Sequence, residues 1–316
     1  MPGLLYVMAK YIGKRLLHLI WILIAVSFLT FLLMYLSPGD AATKKLTAQG
    51  IAVSSDVLEK TREEMGLNRP FLVQYGSWAA GLLKGDLGSS FKDGTPVSAK
   101  LAKGLGYTLT LSLSSLALSL AVSVPLSILT ALKKNSVLDF IFRVLSFIGN
   151  SLPNFLISIL LMYFLCVRFR LLPVIAENNF KGLLLPTLAL AIPMCSRFLR
   201  QFRAEILEQM SKPYVTGASS RGLKSRYILF SNVLHNALPG MITIIGLSIG
   251  TLLGGSVVIE TIFRWPGLGK LVMDSITARD YPVIQGFVLF AAVVYVVINL
   301  VTDIIHHRLD PRVSGV

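Results

Sequence analysis

Leu16-Leu17-His18-Leu19-Ile20-Trp21-Ile22-Leu23-Ile24-Ala25-Val26-Ser27-Phe28-Leu29-Thr30-Phe31-Leu32-Leu33-Met34-Tyr35-Leu36 contains no Asp, Glu, Lys or Arg. At about 1.5 Å per residue, roughly 20 residues of helix cross a hydrocarbon core of ~30 Å. The run is too long for the apolar region of a signal peptide. It ends in Ser37-Pro38-Gly39-Asp40, with no small-x-small cleavage pattern. It is expected to be a retained transmembrane helix.

Five further runs follow. Thr108 to Leu132 is the second expected span and Phe140 to Val167 the third, with Arg143 near its start able to snorkel. Leu183 to about Ser196 is a shorter fourth, broken by Pro186 and Pro193. Pro239 to Glu260 is a fifth, carrying Gly246, Gly250, Gly254 and Gly255, and Val283 to Ile305 is a sixth. Such long continuous runs suit helices and not barrel strands. Composition points the same way. Of the 316 residues 54% are hydrophobic and only 15% charged, and mean hydropathy is +0.69. Disorder needs low hydrophobicity and is excluded. A soluble enzyme could not bury this much apolar surface in one core.

The net charge of +14 therefore reads as topology and not as nucleic-acid binding. Lys10, Lys14 and Arg15 precede the first span, Lys133 and Lys134 follow the second, and Arg308 and Arg312 follow the sixth. Between spans four and five stand Arg197, Arg200, Arg203, Lys212, Arg221, Lys224 and Arg226 against only Glu205 and Glu208. Basic residues in short loops mark the cytoplasmic side, and the outer loops hold fewer, so six spans with both termini inside is a consistent solution.

The outer segment, about Ser37 to Gly106, holds a helix-like stretch that Ser54 or Ser55 can cap and Gly66 can stop. Tyr75 and Trp78 suit a membrane-interface belt, and Gly85-Asp86-Leu87-Gly88-Ser89-Ser90 reads as a turn. This is expected to be a small external cap. In the cytoplasmic segment, Glu205 to Met210 reads as helix and Ser211-Lys212-Pro213-Tyr214 as a break. A second short helix is expected through Val215 to Leu223. Small residues at Gly217, Ala218 and Gly222 would let another backbone approach. The segment reads either as a docking peg for a partner or as a solvated basic loop.

No catalytic constellation is present. The chain lacks G-x-x-x-x-G-K-[S/T]; its nearest string, Gly267-Leu268-Gly269-Lys270-Leu271, misses the hydroxyl residue and the glycine spacing of a phosphate loop. Glu260, Asp303 and His18 lie at span ends, so no mid-membrane proton relay is evident. His306-His307 are adjacent on one helix and face different directions, which does not suit a metal pair. Cys166 and Cys195 read as small core hydrophobes. No cofactor or metal is expected. The absence of both an ATP site and a proton relay points to an energy source on another chain. A self-contained secondary transporter or a membrane sensor is the alternative from another class.

The string Tyr214-Val215-Thr216-Gly217-Ala218-Ser219-Ser220-Arg221-Gly222-Leu223, followed by Asn236-Ala237-Leu238-Pro239, resembles the "EAA" loop of ABC-importer permeases, in the form of the dipeptide/oligopeptide/nickel branch. Matching strings run in order along nearly the whole chain. They include Ser37-Pro38-Gly39-Asp40, Gly66-Leu67-Asn68-Arg69-Pro70, Gly254-Gly255-Ser256-Val257-Val258-Ile259-Glu260, Trp265-Pro266-Gly267-Leu268-Gly269, Arg279-Asp280-Tyr281-Pro282 and Leu309-Asp310-Pro311-Arg312. Gly217 departs from a common alanine, and Asn232 and His235 replace the usual His and Arg. The resemblance implies an all-α integral membrane protein of six transmembrane helices with the type I ABC-importer transmembrane fold. It divides the chain into 1–103 (first span and outer segment), 104–307 (the type-1 transmembrane domain, coupling helix about 214–223) and a cytoplasmic tail, 308–316. It implies a permease subunit of the cell membrane that is not itself an enzyme. Its partners would be a second homologous permease, two ATP-binding subunits and an extracytoplasmic solute-binding protein. Tyr214, Gly217, Ala218, Arg221, Gly222 and Leu223 would form the ATPase-docking site. Gly250, Gly254, Gly255 and Glu260 are the candidates for pore packing, where small residues let helices approach. The cargo would be nickel, a metal chelate or di- and oligopeptides. Ala48-Gln49-Gly50 and the compact outer loop lean to nickel.

Overall fold

The computed structural model describes residues 2–48, 53–173 and 179–309. Among them there is no named β-strand, and helices carry the fold. In chain order these are α1 (Pro2–Leu36), α2 (Ala41–Ala48), α3 (Ser55–Glu64), α4 (Phe71–Leu83), α5 (Val97–Leu132), α6 (Val137–Ser151), α7 (Asn154–Leu161), α8 (Phe180–Met210), α9 (Pro213–Ser220), α10 (Ser225–Tyr227), α11 (Leu234–Phe263), α12 (Leu268–Ala278) and α13 (Tyr281–Leu309). Wider π-helical turns extend α7 over Met162–Arg168 and join α10 to α11 over Ile228–Val233. Among the described residues, five helices are long and apolar enough to cross a membrane, and six spans result if the bent pair α6–α7 is counted as one.

That pair departs from the expected straight third span. The axes turn by 104° between Ser151 and Asn154. Pro153 is the cause: Leu152, the residue before it, is driven to extended backbone at φ −79°, ψ 131°. Pro186 and Pro193 behave differently. The expected break does not occur, and α8 runs unbroken through both. Prolines inside membrane helices are tolerated where neighbouring groups satisfy the freed backbone. The same helix continues through Glu205 to Met210, so the fourth span and the first cytoplasmic helix are one rod.

The described chain forms two compact units. The first comprises residues 1–108 and 266–300. In it, Ser54 caps α3 by accepting from the Val57 amide at 3.4 Å, and Gly66, at φ +69°, ends it. The turn at Gly85 to Ser90 is present, with Gly85 and Gly88 at φ +79° and +80°. Val97, Leu101, Leu268 and Val283 make its buried apolar cluster. Gly104 lets α12 approach, since a Cβ there would stand 3.2 Å from the Leu268 amide nitrogen. The Thr108 hydroxyl accepts from that amide at 2.8 Å. Arg279 and Asp280 then tie down two loops. Arg279 donates to the Pro38 carbonyl, and Asp280, almost fully buried, accepts from the Ser90 hydroxyl and from the Phe91 amide at 2.8 Å.

The second unit comprises the described residues within 109–265 and 301–309. On α5, Ser115, Ser119, Ser123 and Ser127 recur every fourth residue and are fully buried. The Ser119 hydroxyl reaches the Ala191 carbonyl of α8 at 3.2 Å. Gly149 of α6 lets Ser196 of α8 approach, since a Cβ there would stand 3.2 Å from the Ser196 Cβ. Asp139, fully buried at the start of α6, accepts from Arg203 Nε at 2.7 Å and Nη2 at 2.8 Å. The Asn135 amide adds a third bond at 3.0 Å. A buried carboxylate needs this degree of pairing, and the two-pronged guanidinium contact joins α6 to α8.

Candidate functional site

The expected docking peg is α9, in the second unit. Ser211 ends α8, Lys212 is extended, and Pro213 opens α9 at a position where its missing N–H costs nothing. The helix therefore starts two residues earlier than expected and the break shrinks to Ser211-Lys212. It also ends earlier. Arg221 is the C-cap, and Gly222 follows at φ +79°. The Gly222 amide donates to Ser219 O at 2.9 Å and the Leu223 amide to Ala218 O at 3.3 Å. These two bonds are the Schellman arrangement, in which a left-handed glycine stops a helix and satisfies its last carbonyls.

Of the six residues expected to dock a partner, Tyr214, Gly217 and Ala218 lie on α9, Arg221 caps it, and Gly222 and Leu223 lie just beyond it. They do not share one face. Ala218 is 1% exposed and packs with Ala131, Ile206, Ile228, Leu229 and Val233. Val215, one turn earlier, joins the same cluster. Ala218 is thus an anchor within the chain and not a point of close approach for another. Thr216, Gly217, Ser219, Ser220 and Gly222 face outward, and nothing lies within 4 Å of where a Cβ on Gly217 or Gly222 would stand. Leu223 is exposed, as are Tyr227 and Phe230 beyond it. The Tyr214 hydroxyl is bonded to Gln209 at 3.1 Å, and Arg221 Nε donates to the Gly217 carbonyl at 3.2 Å. The site is a short, smooth, cationic knob bolted by two apolar side chains to α8 and to the π-helical turn before α11.

The second set of candidates lies on α11. Gly254 is exposed, and nothing in the described chain comes within 4 Å of its would-be Cβ. Gly250 is half-buried, Glu260 is fully buried, and Gly255 lies on the same helix. Residues 49, 50 and 310–316 fall outside the described residues, and with them part of Ala48-Gln49-Gly50, most of Leu309-Asp310-Pro311-Arg312 and most of the tail. Two positioning groups escaped the sequence reading, the Asp139–Arg203 pair and the serine row on α5. The four-residue spacing of serines in a span was a legible signal for the row. A pair 64 residues apart left none.

The profile of the family described as "Binding-protein-dependent transport system inner membrane component" matches residues 123–315, and that of its N-terminal region matches residues 8–113. The chain belongs to this family. It is 38% identical over 303 residues, 96% of the chain and 91% of the relative, to the nickel import system permease protein NikB of Staphylococcus aureus strain MRSA252. It is 39% identical over 298 residues to the same protein of strain bovine RF122 / ET3-1, covering 94% of the chain and 90% of the relative. A chain of the MetNI methionine ABC transporter in an inward-facing conformation shares its fold, with TM-score 0.54 at 16% identity over 66% of this chain and 96% of the other. So does a chain of an amino acid ABC transporter, with TM-score 0.52 at 19% identity over 68% and 95%. The protein is a multi-pass membrane permease, the transport subunit of an ABC importer. The self-contained carrier and the sensor are set aside.

Proposed function

We propose that this permease forms half of a translocation pore for nickel, paired with a second permease and driven by two ATP-binding subunits, one of which seats on the outward face of α9. A solute-binding protein on the opposite side of the cell membrane would deliver the cargo, and both termini would be cytoplasmic. Identity of 38–39% to nickel import permeases over at least 94% of the chain supports the cargo. The observation that carries the docking is the division of α9. Val215 and Ala218 are held within the chain, and the outward residues are small or polar. A knob fixed from one side transmits force applied from the other. Displacing α9 moves the apolar cluster that contains Ile206 of α8, and Asp139–Arg203 carries that movement to α6.

The test uses Gly222. An L-residue at φ +79° is strained, though Asn and Asp tolerate the left-handed region better than most. Gly222→Asn keeps the turn without a charge, whereas Gly222→Asp places an anion on the docking face. With all subunits co-expressed, Gly222→Asp is expected to abolish nickel uptake and co-purification of the ATP-binding subunits at normal membrane levels. Gly222→Asn is expected to retain both in large part. Normal uptake by Gly222→Asp would overturn the docking assignment.

A further inference from the structure

Helix α4 carries no charged residue over its 13 positions, Phe71 to Leu83. One side packs on α1. The Phe71 ring meets Phe28, Phe31 and Tyr35 edge-on at centroid distances of 5.2–5.5 Å. Tyr75 meets Phe28 and Phe31 at 5.4 and 5.5 Å, and its hydroxyl is 3.0 Å from that of Ser27. Trp78 adds a contact to Phe31. The other side faces away from the chain and is apolar too. Leu72 is 69% exposed and Leu83 90%, with Val73, Gly76 and Ala80 also exposed; Ser77 is the polar member. A water-facing helix side looks different, as α3 shows with Glu59, Lys60, Glu63 and Glu64 exposed.

The contacts on α1 fix the depth. Ser27 stands nine residues before Leu36, the end of the apolar stretch Leu17–Leu36. At 1.5 Å per residue that is about 14 Å inside the end of the span. A tilt of 40° still leaves about 10 Å. Tyr75 therefore binds α1 well within one leaflet, and Leu29, Leu33 and Leu36 of α1 are exposed like the outward side of α4. At about 20 Å of length α4 cannot cross the bilayer. An uncharged helix beside a span and at this depth suits the acyl-chain region of the leaflet, where no charged side chain has to be buried.

We propose that α4 is embedded in the leaflet at the C-terminal end of α1, with Leu72, Val73 and Leu83 in contact with lipid acyl chains, so that it pins the segment between the first and second spans to the membrane. The placement holds for either orientation of α1.

The test is spin-label accessibility in the whole transporter reconstituted in nanodiscs. Cysteines replace Leu72 and Leu83 in turn, with Lys60→Cys on α3 and Leu33→Cys on α1 as references, in a Cys166→Ser, Cys195→Ala background. Labels at Leu72 and Leu83 are expected to favour oxygen over water-soluble chromium oxalate by at least about threefold relative to Lys60, approaching Leu33, as acyl-chain exposure requires. Values equal to those at Lys60 would overturn the placement. Exclusion of both reagents would mean that a protein covers α4 and would overturn it too. Wild-type transporter in bilayers with an acyl-chain diazirine lipid supplies an independent reading. Adducts are expected on the peptide 70–84 and not on 55–65; adducts absent from 70–84 would count against embedding.

Discussion

Asp139 shows what a single buried charge requires. Its carboxylate is out of contact with solvent and is held by Arg203 and the Asn135 amide, with Arg143 Nε 3.6 Å away. Removing one partner of a buried pair leaves an uncompensated charge at a cost of roughly 3–5 kcal/mol, whereas replacing both with apolar groups is often neutral. Arg203→Ala should thus lower the thermal midpoint of the purified permease sharply, and Arg203→Met combined with Asp139→Leu should restore most of it. A single mutant as stable as the parent would show that the pair is dispensable. Asp93 is the exposed counterpart. Partial burial pushes its carboxyl up, but Lys100 Nζ at 2.7 Å, the Thr95 hydroxyl and the Thr95 amide outweigh this and hold it well below the ordinary 3.8. A lowered carboxylate contributes fully above its ordinary value and less as pH falls through the folded one. The stability difference between wild type and Asp93→Asn should be constant above about pH 5 and shrink below about 3.8. A difference that does not vary with pH would refute this.

At the scale of elements, prolines mark where local reading stops. Pro153, Pro186 and Pro193 look alike in sequence, yet one turns the chain by 104° and two sit inside a continuous helix. Gly149, Asn150 and Ser151 precede Pro153, and Leu152 is free to become extended. Pro186 lies in a helix whose neighbours Leu185, Thr187, Ala189 and Leu190 are all buried, so packing holds the helix continuous. Helix caps at Ser54 and Gly66 were legible because they are local. The seat of α12 was not, because it rests on Thr108, 160 residues earlier in the chain. Thr108→Val removes the acceptor for the buried Leu268 amide and should cost about 1–3 kcal/mol, read as a lowered thermal midpoint. Thr108→Ser, which keeps the hydroxyl, should recover most of the loss. Equal midpoints for Val and Ser would show that the bond is immaterial.

For the whole molecule, hydrophobic runs and charge placement alone mark a multi-span membrane protein. The family strings ran from the first span to the last. What pattern could not supply was the inside of the second unit, where α6 is joined to α8 and α9 is anchored by Ala218 and Val215. Those contacts link residues far apart in the chain, and binary pattern fixes only which side of a helix is apolar. The cargo reading belongs to this scale because it concerns the assembled transporter. Cells expressing the full system and grown on limiting nickel should accumulate radioactive nickel severalfold over cells lacking this chain. An excess of dipeptide should leave the uptake unchanged. Competition by dipeptide would move the cargo to peptides.

The division of α9 has an evolutionary consequence. Because Val215 and Ala218 hold the helix while Thr216, Gly217, Ser219 and Ser220 are exposed, the outward side can change without disturbing the packed one. Under the proposed docking, partner preference would drift, or be transplanted between paralogous permeases, by exchange of those four residues without unsettling the scaffold beneath them.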